Sequence, residues 1–122
     1  GTFRGNQLSM VAARYGLQYM LENNVEAEVK RKEEIVRTYF NDNLQGDAVQ
    51  IRGIGLIWGI QVADGKTALA IANRCFEKGL IIERAGRDND VVKLMPALTI
   101  PDDQLVKGLD ILVSSVKEIC NL

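Results

Sequence analysis

The sequence of 122 residues contains no histidine. Its absence removes the side chain that most often serves as a general base near neutral pH and that most often ligates metals. Cysteine is scarce: Cys75 and Cys120 lie far apart, outside any Cys-x-x-Cys spacing, so neither a zinc centre nor a redox pair is indicated. Both fall on apolar helical patterns and read as buried, reduced thiols. No metal site is expected. No apolar run approaches the length of a membrane span, and no segment has the make-up of a secretory or transit leader, so the expectation is a cytoplasmic protein. An excess of one charge is missing too, with 15 basic residues against 16 acidic ones. Nucleic acid and anionic membranes attract clustered Lys and Arg, and both are thereby disfavoured as partners. The basic residues of "EAEVKRKEE" alternate with acids and read as a solvated helix face. Catalysis by these residues alone would need carboxylates, lysine or tyrosine, and no such constellation stands out.

What is present suits one soluble domain with a real core. From Gln7 to Glu22 two apolar stripes run at helical spacing, one of Leu8, Val11, Ala12, Tyr15 and Tyr19, the other of Met10, Ala13, Leu17 and Met20. A helix with two apolar stripes needs cover on two sides, so it is expected to meet another domain or subunit. Asn23 and Glu26 are spaced for a capping box opening a second helix to about Leu44, with Val25, Val29, Val36 and Phe40 inward, Ile35 and Tyr39 at the edge, and charges elsewhere. "AVQIRGIGLIWGIQVAD" alternates and predicts two strands bent at Gly53–Gly55, with Leu56, Trp58, Ile60 and Val62 on one face. Asp64 is placed to cap a third helix ending at Gly79, its inner face Ala68, Ile71, Ala72, Cys75 and Phe76. "LIIE" and "VVKLM" read as strands about a polar loop. Thr99, Pro101, Asp102 and Asp103 signal a last helix burying Leu105, Leu109, Leu112, Val116 and Ile119. The order α-α-β-β-α-β-β-α predicts an α+β fold: a small, mostly antiparallel sheet of about four strands with helices on one face and the other face open for docking.

Two places could carry chemistry. "GTFRGNQL" is a Gly-containing loop entering a helix, where unpaired N–H groups and the positive helix end attract a phosphate or carboxylate. Thr2 adds a hydroxyl and Gly5 lets the backbone turn closely; the plainer alternative is that Thr2 or Asn6 caps the helix. Lys93, near a strand end before Pro96, could project toward a carboxylate or could be an exposed strand lysine. Arg84 and Arg87 form a surface cluster to which no role is assigned.

The segments "GTFRGNQLSMVAA", "IRGIGLIWGIQV" and "GLIIERAGRDNDVVKLMPALTIPDDQL" resemble, in order, three motif regions of the class III aminotransferases, which use pyridoxal phosphate. The resemblance runs over essentially the whole chain. It implies that residues 1–122 are the C-terminal small domain of a longer enzyme, preceded by the long helix that follows the Thr-Phe-x-Gly-Asn loop, with the large cofactor-binding domain upstream. It further implies a homodimer in which Thr2, with Gly1 and Phe3 beside it, meets the cofactor phosphate of the neighbouring subunit. Lys93 stands where the family has an arginine for a substrate carboxylate, a point charge in place of a planar fork. No lysine here matches the family's Schiff-base lysine, so the segment alone is expected to be inactive. Within the family the pattern is most similar to the branch that moves the 4-amino group of 2,4-diaminobutyrate to 2-oxoglutarate. A 4-aminobutyrate or ornithine-type enzyme is the alternative, and a free-standing α+β binding or dimerisation module is the non-enzymatic one.

Overall fold

Alternation at period two puts every second residue of "IRGIGLIWGIQV" on one side, and the chain there folds back on itself as an antiparallel hairpin. In the computed structural model, which describes residues 1–122, the elements in order are α1 (Gln7–Glu22), α2 (Val25–Asn43), β1 (Gln50–Ile54), β2 (Ile57–Gln61), α3 (Gly65–Glu77), β3 (Glu83–Ala85), β4 (Val91–Leu94) and α4 (Asp102–Cys120). The sheet runs β1-β2-β4-β3 and every pairing is antiparallel. Ile51 pairs with Ile60, Trp58 with Leu94 and Ile60 with Val92, so these side chains share one face. The order and fold class expected from the sequence are those observed.

α2, α3 and α4 supply the core against that face. Val36 and Phe40 come from α2, Ala68, Ile71 and Cys75 from α3, and Leu105, Leu109, Leu112 and Val116 from α4. Leu56, Trp58, Ile60 and Val62 are all buried, as the alternation requires. Each fully buried Leu, Ile or Val side chain contributes about 1.5–3 kcal/mol over its exposed state. α3 opens at Asp64, whose Oδ1 accepts from Thr67 N at 2.7 Å. It closes in a Schellman motif: Gly79 at φ +88° donates to Phe76 O and Leu80 donates to Cys75 O. Cys75 is buried and Cys120 half-buried, both as free thiols. No helix is long and apolar enough to cross a membrane.

Several local expectations are corrected. Asn23 does not open α2 in a capping box. Its Nδ2 and its backbone N–H both donate to Tyr19 O, closing α1, and Asn24 at φ 47° is the N-cap of α2 without a side-chain bond. Thr99 does not cap α4; Pro101 occupies that position. The third strand starts at Glu83 rather than Leu80, because Leu80 is consumed in closing α3. Phe76 is 69% exposed, being turned about 100° from Cys75 around the helix. Lys32, read as part of a solvated face, is buried and donates to Leu98 O at 3.2 Å.

The α2–α4 contact carries a titration. The hydroxyl of half-buried Tyr39 donates to the Asp110 carboxylate. Burial, then that hydrogen bond, raises the phenol from 10.0 to about 12. The folded state therefore holds this proton more tightly, so the stabilisation is complete below pH 10 and is lost as the pH rises toward 12. Thermal melts across this range should fall in midpoint, and Tyr39→Phe should flatten that decline.

α1 stands apart. None of its residues is buried. Leu8 and Tyr15 of one stripe are 81% and 64% exposed, and Met10 and Leu17 of the other are both 62% exposed, so both apolar stripes face outward.

Candidate functional site

The loop before α1 is shaped by turns. Arg4 N donates to Gly1 O at 2.9 Å, Asn6 N donates to Phe3 O at 3.3 Å, and Gly5 sits at φ +79°. Asn6, not Thr2, is the cap: its Oδ1 accepts from Ser9 N at 3.1 Å. Thr2 is exposed and its hydroxyl is not spent on the helix; Phe3 is 88% exposed beside it. Of the two ways to read this loop, the capping role falls to Asn6.

Lys93 lies on β4, opposite Gly59 of β2 and Glu83 of β3, on the sheet face away from the helices. Its Nζ is 2.6 Å from Glu83 Oε2. The lysine side chain is 28% exposed and the glutamate 68%. Both line a cleft of about 220 Å³ with Leu80, Ile81, Met95 and Pro96. The hydrogen bond from Lys93, then its charge, holds the Glu83 carboxyl below its usual range. The lysine is therefore neither free nor merely solvated. An ammonium has three donors, so a second acceptor can be held beside Glu83. The open face carries a further polar chain: Arg52 Nη1 donates to Gln61 Oε1 and Gln61 Nε2 to Asp90 Oδ2, each at 2.7 Å.

Thr2 and Lys93 are not joined by any hydrogen bond or shared core contact. The first precedes a helix extending about 24 Å at 1.5 Å per residue, while the second sits in the sheet. α1 meets the rest of the fold at its Tyr19–Asn23 end, beside Leu98 and Thr99. Glu83, Arg52, Gln61 and Asp90 were not singled out from the sequence. A signal for Glu83 exists: a hairpin centred in "RAGRDND" pairs positions 83 and 93, but placing the strand at Leu80–Glu83 hid it.

A four-stranded antiparallel sheet backed by three helices, a projecting two-striped helix and a Thr-Gly loop at its start form a combination that known families can be compared with. Residues 1–116 match the family described as Aminotransferase class-III, and the chain belongs to that family. Among curated relatives it is 42% identical over 124 residues to a diaminobutyrate–2-oxoglutarate transaminase of Halomonas elongata and 40% identical over 123 residues to one of Bordetella parapertussis. Each alignment takes in 97% of this chain but only 30% and 28% of those relatives, so the chain spans under a third of their length. Among solved structures, an aminotransferase of Bacillus anthracis superposes with a TM-score of 0.85 at 23% identity, over 97% of this chain and 30% of that one, a likeness of fold.

Proposed function

We propose that these residues are the C-terminal small domain of a pyridoxal-phosphate-dependent aminotransferase that transfers the 4-amino group of 2,4-diaminobutyrate to 2-oxoglutarate in the cytoplasm. The observation that carries the reading is the match along 97% of the chain, at 40–42% identity, to transaminases named for that pair of substrates. In this reading the whole protein is a homodimer. The outward stripes of α1 are covered by the large domain and the partner subunit, which accounts for a helix with no buried residue.

The residues at hand suit one end of the cofactor. An uncommitted threonine hydroxyl, with those N–H groups of the Gly1–Gly5 loop that its own turns leave unpaired, is chemistry for a phosphate. When bound, pyridoxal phosphate supplies the electron sink for amino-group transfer. Thr2 would hold its phosphate from across the dimer, with Gly1 and Phe3 shaping the loop. Lys93 would orient the substrate through a carboxylate, and the residues that bond to the cofactor ring and move protons would belong to the large domain. The segment alone is then inactive.

The test is an amino-donor panel on the full-length protein with 2-oxoglutarate as acceptor. The expected result is higher kcat/KM for 2,4-diaminobutyrate than for 4-aminobutyrate or ornithine. Preference for either of the latter would overturn the assignment. In the same protein Thr2→Ala should raise the Kd for pyridoxal phosphate about tenfold or more, the usual effect of losing a hydrogen bond to a charged group. An unchanged Kd would remove Thr2 from the site.

A further inference from the structure

We propose that Glu83 and Lys93 together read the zwitterionic α-amino-acid head of the donor, with Glu83 the residue that sets donor choice. The inference rests on the function proposed above. Transfer of a 4-amino group leaves the α-ammonium and α-carboxylate of the same molecule chemically untouched and free to be gripped. A head of that kind carries opposite charges on one carbon, and the cleft wall carries opposite charges 2.6 Å apart on adjacent strands. Laid head to tail, the substrate carboxylate accepts from Lys93 and the substrate ammonium donates to Glu83, so every charge meets its opposite.

Three features of the cleft suit that arrangement. The ammonium of Lys93 keeps two donors after bonding Glu83, enough to hold a second carboxylate beside it. Glu83 is 68% exposed in side chain and has lone pairs to spare for an incoming ammonium. Leu80, Ile81, Met95 and Pro96 line the cleft beside the pair, apolar surface against which the carbon chain of the donor can lie. A donor such as 4-aminobutyrate offers only a carboxylate at this end. It would be drawn to Lys93 but repelled by Glu83, so the same pair that welcomes one donor disfavours the other.

The experiment uses the full-length, cofactor-loaded enzyme and two variants, Glu83→Gln and Glu83→Asp. Steady-state kinetics are measured for 2,4-diaminobutyrate and 4-aminobutyrate. Calorimetric binding is measured for 2-aminobutyrate, which has the zwitterionic head without the 4-amine, and for butyrate, which has the carboxylate alone. Glu83→Gln should lower kcat/KM for 2,4-diaminobutyrate and weaken 2-aminobutyrate binding about tenfold or more, as when a charged hydrogen-bond partner is lost. It should leave 4-aminobutyrate and butyrate unchanged or improved, and Glu83→Asp should restore part of the loss. Equal effects on both donors, or unchanged 2-aminobutyrate binding, would overturn the proposal. Unaltered enzyme that does not use 2,4-diaminobutyrate would overturn the assigned reaction instead, and the binding of the two probes would still decide the role of Glu83.

Discussion

Replacing Phe40 by alanine is expected to lower the free energy of unfolding by about 3–5 kcal/mol, the range for emptying a buried aromatic site. Phe40 is 1% exposed, on the face of α2 that meets the sheet. Its ring meets Trp58 edge-on, 5.8 Å between centroids at 68°. The cost depends on whether neighbours can fill the space left behind, and here they are held. Trp58 Nε1 donates to Gly55 O at 2.9 Å, and the Arg37 guanidinium lies 5.3 Å from the ring centroid on the opposing element. An indole fixed by a hydrogen bond and a cation cannot swing into the cavity, so the effect belongs at the upper part of the range. Domains are commonly stable by about 5–15 kcal/mol, which makes this a large fraction of the whole. Denaturant unfolding should show a lower midpoint with an unchanged slope. Phe76→Ala is the control. That ring is 69% exposed, and its removal should cost the chain little. Similar losses for the two phenylalanines would contradict this picture of the core.

The same two residues mark how far the sequence could be read. Period-two alternation identified Trp58 and Ile60 as core, because a hairpin strand with one covered face admits no other arrangement. The four-three-four spacing of α4 was equally clear, since Leu105, Leu109, Leu112 and Val116 are all buried. Phe76 was misplaced because apolarity at a helix edge does not say which side the neighbouring element occupies. The element ends were the least legible part. Asn23 and Asn24 are chemically alike, and which of them closes α1 or opens α2 depends on one left-handed residue that composition does not reveal. The candidate site was half visible: the Thr2 loop and Lys93 carry recognisable patterns along the chain. Glu83 was not visible, because its ion pair is made with a residue ten positions away across a turn whose register is decided by how α3 ends. Contacts made through tertiary structure, such as Lys32 on Leu98 O, leave no trace in periodicity at all.

Gly53→Ala is the second large expected effect, a loss of about 1–3 kcal/mol or somewhat more from overpacking a tight contact. Gly53 pairs with Trp58 across the hairpin, and the indole lies directly over it. An added Cβ would stand 2.4 Å from Trp58 Cδ2 and 2.6 Å from Ile57 O. Neither can give way cheaply. The carbonyl is strand backbone, and the indole is held by Gly55, Arg37 and Phe40. β1 must therefore move relative to β2, and β2 is the strand on which β4 is registered, with Gly59 opposite Lys93. The substitution thus reaches the Glu83–Lys93 pair without touching it, and in the full-length protein it should raise donor KM together with lowering stability. Gly59→Ala provides the comparison. There the one close contact is the Val91 Cγ1 methyl at 2.9 Å, with no backbone atom nearer than Arg52 O at 3.9 Å, so a small shift of one side chain relieves it. Unfolding midpoints and Trp58 emission measured on both variants should show the greater loss, and the greater spectral shift, for Gly53→Ala. A greater loss for Gly59→Ala would mean that the open face, rather than the indole stack, is the rigid side of this sheet.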